Sequence, residues 1–229
     1  MNYPEDTTTM TFFHAHGWRL VLAASGVALL AGAPMHPSSD SEDPLRKELA
    51  VMTADSAWVP GHSLIVLSTV LLATGLWMAH RRRVWPTSVQ RTLGFAAVAV
   101  SAYVVETVAH LAAVIDSDRL AAGDAAPVAF GHIGLATVLY PVTGWALVFL
   151  ALAFGRVWRG WRRVVAVVGA VAGLLHAFSV PLTVLFPDTE FTPVFAGAAM
   201  SIAVFTLGIA VAGAPRPVRS APRTVERIA

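Results

Sequence analysis

Apolar residues in this chain fall into six long blocks separated by short polar connections. A hydrocarbon core about 30 Å thick takes roughly 20 residues of helix to cross, and each block is of that order. The blocks cover residues 11–33, 58–79, 92–115, 128–154, 164–186 and 193–213, with 20–33 the unbroken part of the first. A transmembrane β-barrel would instead alternate apolar and polar residues in segments of about ten, and no such alternation runs through the chain. Only 13% of residues are charged, against about a quarter in soluble domains, too few to clothe a water-facing surface. The expected fold is all-α: a polytopic integral membrane bundle of six transmembrane helices, spans two to five forming a central four-helix core. Residues 1–213 make one membrane domain, and residues 214–229 a basic, disordered tail attracted to anionic lipid.

Charge fixes the expected orientation. Arg81, Arg82, Arg83 and Arg91 lie between spans two and three, and Arg156, Arg159, Arg162 and Arg163 between four and five. Arg216, Arg219, Arg223 and Arg227 fill the tail, while the other loops carry only Arg46, Lys47 and Arg119. The positive-inside rule puts the arginine-rich loops and both termini in the cytoplasm. Asp40, Glu42, Asp43, Glu48, Asp55, Asp116, Asp118, Asp124, Asp188 and Glu190 all fall in the opposite loops. The first span ends in Ala31-Gly32-Ala33, which resembles a signal-peptide cleavage site, but Arg19 is its only nearby base against Glu5 and Asp6; a retained span is expected. Fifteen arginines against one lysine, with abundant Ala and Val, point to a GC-rich bacterial genome and hence a plasma membrane. In the long loop 34–56, Asp43-Pro44 is suited to start a short helix running to about Thr53, a candidate lid.

Ionisable side chains inside a bilayer are costly and call for a reason. Glu106 is the one acid deep in a span, and His62, His110, His132 and His176 lie within spans two to five. Counting residues from the span ends puts His62, His110 and His132 within roughly 10 Å of the outer boundary, with Glu106 and His176 one to two turns deeper. Tyr103, Glu106, Thr107 and His110 form one stripe at i, i+3, i+4, i+7. His132, Ala136 and Thr143 share a face of span four with Tyr140 at its edge, and Gly169, Gly173, His176, Ser179 and Thr183 line one side of span five. Gly169-x-x-x-Gly173 permits a close backbone approach or room beside a flat cofactor, and Pro181 should bend span five. The order Gly61-His62, Arg83-Val84-Trp85, His110 recurs as Gly131-His132, Arg156-Val157-Trp158, His176, a weak internal repeat.

Imidazole suits Fe, Cu and Zn. Two histidines beside small residues suit haem b, and three with Glu106, as ligand or as orienting group, suit a non-haem ion. In layout only, four helices each bearing one histidine are similar to the cytochrome b561 type of membrane haem protein. That type resembles a two-haem wire with ligands near both faces, whereas these histidines gather on one side, so no residue roles carry over. The leading expectation is redox chemistry at the outer leaflet, with His62, His110, His132 and His176 as ligands and Glu106 as tuning or proton-carrying group. The alternatives are a small proton- or cation-coupled carrier using Glu106, and a non-catalytic scaffold or assembly factor, in which the cluster serves only helix packing. The lipid bilayer is the expected partner, with a homo-oligomer or membrane protein beside it and no nucleic acid. His14, His16 and His80 are expected at water-facing ends, His36 in the loop away from the cluster, and Trp18, Trp58, Trp77, Trp85, Trp158 and Trp161 mostly as interfacial anchors. The absence of cysteine excludes disulfides and thiolate sites. No HExxH, P-loop, GxSxG or GxGxxG motif occurs, which argues against ATP-driven transport and zinc proteolysis of the common kind.

Overall fold

A computed structural model describes residues 7–37, 44–83, 85–186 and 189–214. Asp43, Val84, Asp188 and nearly all of the tail therefore lie outside the described residues. The chain forms α1 (Thr7–Gly32), α2 (Leu45–Ala54), α3 (Trp58–Arg82), α4 (Thr87–Ala112), α5 (Ser117–Ala122), α6 (Pro127–Val157), α7 (Arg162–Leu185) and α8 (Thr192–Ala212). Six of them, all but α2 and α5, are long and apolar enough to cross a membrane. Prolines mark several starts, where a missing N–H costs nothing: Pro86 precedes α4, Pro127 opens α6, and Pro193 lies in the first turn of α8. Gly123, at φ 80°, ends α5 in the left-handed region that only glycine enters freely. Pro181 sits inside α7 as expected, and Pro141 sits likewise inside α6.

The six long helices form a closed ring in chain order. Each packs on its sequence neighbour, and α8 returns to pack on α1. The expected four-helix core is thus an arc of a larger ring, because α1 and α8 fill the gap between α3 and α7. Two polar and small-residue devices hold the ring. Ser25 on α1 and Ser68 on α3 exchange hydroxyl-to-carbonyl hydrogen bonds of 2.8 and 2.9 Å, typical glue between membrane helices. Between α6 and α7, a Cβ on Gly144 would stand 2.5 Å from the Gly173 carbonyl oxygen and 2.5 Å from the Ala177 nitrogen. Only glycine lets these two backbones meet so closely. The outer surface is apolar: Val105, Val138, Val167 and Val211 are each more than 60% exposed, a face suited to lipid and not to water.

Helix alternation gathers most of the arginines at one end of the ring and His36, His62, His110 and His132 toward the other. At the arginine end the tryptophans turn inward. Trp85 lies 6.2 Å from both Trp18 and Trp158, and Phe154 stacks on Trp158 at 4.3 Å. Trp18, Trp58, Trp85 and Trp158 are all buried, which corrects the anchor reading for these four. Trp18, Trp85 and Trp158 share one core cluster, and Trp58 belongs to a second one at the histidine end. Trp161, 56% exposed, remains compatible with an interfacial place. His80 is also half-buried, bonded to Gln90 and packed on Gly94, where a solvated ring was expected.

At the histidine end α2 lies across the ring as a roof. Leu49 packs with Trp58, Ala113, Leu120, Ala126 and Ala129, and Arg46 donates to the Asp124 carbonyl at 2.6 Å. Asp116, fully buried, caps α6 from eleven residues upstream of its start: its Oδ2 accepts from Val128 N at 2.6 Å and Ala129 N at 3.1 Å.

Candidate metal centre

The ring encloses a cavity of about 440 Å³ running from α2 and the loop before α8 down to Leu72, Leu147 and Ile202. His36, His62, His110, His132 and His176 all line it. Four elements bring the first four of these together: the chain just past α1, then α3, α4 and α6.

His62 lies one turn into α3 and is 1% exposed. Its Nδ1 is 2.7 Å from the Trp58 carbonyl oxygen. A carbonyl can only accept, so Nδ1 carries the proton and Nε2 keeps its lone pair. That Nε2 is buried and has no hydrogen-bond partner. His36 repeats the arrangement, Nδ1 donating to the Pro37 carbonyl at 2.8 Å. His132 does so with a side chain: its Nδ1 lies 3.0 Å from Glu106 Oε1, the imidazole N–H donating to the carboxylate. An engaged Nδ1–H that fixes the ring and turns a free Nε2 outward is how metal-ligating histidines are usually held.

The ligand-capable atoms of His36, His62 and His110 lie within 4.8 Å of one another, and so do those of Glu106, His110 and His132. His110 belongs to both groups. Ring centroids run 4.8 Å from His36 to His62, 4.4 Å from His62 to His110, and 4.0 Å from His110 to His132, the last pair stacked. His62, Glu106 and His132 are buried, His110 is partly buried and His36 is exposed, and the two groups could hold a metal ion.

Glu106 is fully buried, bonded to His132, and does not line the cavity. Its Oε1 is 3.9 Å from His110 Nδ1, and its Oε2 has no partner. Of the stripe on α4, Tyr103, Thr107 and His110 line the cavity, and Glu106 is buried beside them.

His176 stands apart. Its ring stacks on Tyr140 at 4.3 Å with Tyr103 edge-on at 4.9 Å, and it joins neither potential metal group. The repeat pattern pairs it with His110, yet His110 is third from the end of α4 while His176 is nine residues before the last of α7. His36 moves the other way. The 3-10 turn Ala33–Met35 folds the chain back over α3, so this loop residue enters the cluster from which the sequence reading excludes it. Trp58 is the other residue that reading misplaces. It stacks on His62 at 4.0 Å, meets His110 edge-on at 5.3 Å, and is pinned by its indole N–H to the Leu111 carbonyl at 3.2 Å. The room beside Gly169 and Gly173 is filled: Phe205 covers Gly169, and Gly144 with Val148 covers Gly173. No protein-family model, curated protein or solved structure matches this chain.

Proposed function

We propose that this chain is a membrane metalloprotein whose imidazole centre binds a redox-active transition ion at the non-cytoplasmic end of the ring. The observation that carries the reading is the shared geometry of His36, His62 and His132. Each has its Nδ1 committed to an acceptor, and the buried Nε2 of His62 is left without a partner. A purely structural cluster would pair its buried nitrogens, so an unpaired one favours a ligand over the scaffold reading. His36, His62, His110 and His132 are the proposed ligands, and Glu106 orients His132 and neutralises part of the ion's charge. The carrier reading gains nothing from Glu106, which does not line the cavity and is bonded to His132.

Haem b fits these residues poorly. A porphyrin between two axial imidazoles would keep their rings apart, yet the rings in this cluster touch at 4.0 to 4.8 Å. The glycine faces that could seat a macrocycle are occupied. A compact ion suits the site better, and imidazole ligands favour copper, iron or zinc over magnesium or calcium. Of these, copper and iron supply one-electron chemistry. The arginine-rich end would face the cytoplasm, which opens the site toward the outer leaflet.

The test is elemental analysis of the protein in lipid nanodiscs after loading with Cu, Fe or Zn and exhaustive dialysis. Wild type should retain a stoichiometric ion, and His62→Ala and His110→Ala should lose it while keeping their helical content. Retention of no ion by wild type, or equal retention by both variants, would overturn the proposal.

A further inference from the structure

The deeper half of the same cavity carries a second set of polar atoms. His176 is 95% buried, and its Nε2 has no hydrogen-bond partner. Its ring lies against Tyr140 and Tyr103, whose own rings meet edge-on at 5.2 Å. Tyr103 is seven residues before His110, so this group stands about 10 Å along α4 from the metal cluster. All three side chains line the cavity.

Neighbouring hydroxyls do not satisfy His176. Ser179 donates to the His176 backbone carbonyl and Thr183 to the Ser179 carbonyl. Thr107 donates to Val104 and Thr69 to Ile65. Their protons are spent on their own helices, which leaves the imidazole nitrogen as a free hydrogen-bonding group in a largely apolar space. Leu72, Val100, Leu147, Val180, Phe195 and Ile202 supply the rest of that wall. The whole cavity, metal end included, is about 440 Å³, within the range of small-molecule pockets.

We propose that this inner chamber binds an uncharged amphiphile bearing a hydroxyl on an apolar body, the hydroxyl pairing with His176. A hydroxyl both donates and accepts, so it satisfies either neutral tautomer of the ring. A carboxylate or ammonium has no counter-charge beside His176: the acids that line the cavity, Glu48 and Glu190, sit on α2 and in the loop before α8, at its other end, Glu106 is already bonded to His132, and burying a lone charge is prohibitive. Aromatic walls suit a phenolic ligand, and the aliphatic ones suit a fatty alcohol; hydroxyl recognition is common to both. The site shares the cavity with the proposed metal centre but does not depend on it.

Calorimetric titration of the full chain in nanodiscs, against empty nanodiscs, tests this with 2-naphthol, naphthalene and 1-decanol. Wild type should bind 2-naphthol saturably and about tenfold more tightly than naphthalene, the factor a single buried hydrogen bond contributes. Binding of 1-decanol in place of 2-naphthol would assign the chamber to aliphatic alcohols. His176→Phe, which keeps the ring volume, should bind both aromatic probes equally. His62→Ala should leave the preference for 2-naphthol intact, which separates this site from the metal reading. No saturable binding of either hydroxyl probe, or an unchanged preference in His176→Phe, would refute it.

Discussion

Replacing Asp116 by alanine tests whether a residue outside the histidine cluster sets its geometry. The carboxylate accepts two backbone N–H groups at the start of α6, at 2.6 and 3.1 Å, and His132 follows within one turn. Removing it strands Ala129 N in a buried site, a loss of about 1–3 kcal/mol, and Val128 N in a half-buried one, a loss of about 1 kcal/mol. Against this, the other carboxylate oxygen is buried with no hydrogen-bond partner and only Arg119 within 3.6 Å, so relief of its burial offsets part of the cost. The net expectation is a loss of about 1–3 kcal/mol, in line with measured helix caps. Asp116→Asn keeps one acceptor and should lose less, about 1 kcal/mol. Arg119, 59% exposed, should contribute under about 1 kcal/mol. Equilibrium unfolding in mixed micelles by circular dichroism gives the three values. An alanine variant as stable as wild type, or Arg119→Ala as costly as Asp116→Ala, would refute the capping account.

Gly144→Ala should destabilise the bundle by about 1–3 kcal/mol, because its Cβ would meet backbone at 2.5 Å; the same unfolding assay reads it. Gly131→Ala on the same helix has nothing within 4 Å and should cost no stability. Glu190 lies ahead of α8 and accepts from Thr192 N at 2.6 Å, and bonds from the Thr192 backbone and side chain hold its carboxyl below the ordinary 4.5. A lowered folded value means its contribution is present above pH 4.5 and fades as pH falls through that lowered value. Glu190→Gln should flatten this acidic limb in hydrogen exchange at the start of α8, and an unchanged limb would count against it.

Much of the fold was legible because bilayer physics leaves few options. Span length and the inward stripe on α4 follow from the cost of exposing polar groups to lipid. Helix ends at Pro86, Pro127 and Gly123 follow from backbone chemistry. Ring closure by α1 and α8 was not legible, since a uniformly apolar helix gives no sign of which neighbour it meets: α8 carries no polar stripe to orient it. The site divides the same way. Burial of His62, His110, His132 and Glu106 near one end was readable from depth and spacing. The partners were not, because helix rotation decides them: Glu106 is 3.0 Å from His132 on the neighbouring α6 but 3.9 Å from His110 on its own helix. His36 was hidden because a loop residue has no periodicity, and Trp58 because an aromatic ring at a span's start reads equally as anchor or as wall. Asp116 among the loop acids resembles any solvated carboxylate until the 3-10 turn Ala113–Asp116 after α4 aims it at α6.

The central claim is that imidazoles from separate elements of the ring converge on one ion. Electron paramagnetic resonance of the Cu(II)-loaded protein in nanodiscs reads the directly bound nitrogens. Wild type should show several equivalent imidazole nitrogens, His62→Ala and His110→Ala should each show fewer, and His176→Phe should match wild type. A spectrum of free or adventitious copper in wild type, or one that His62→Ala leaves unchanged, would contradict the account.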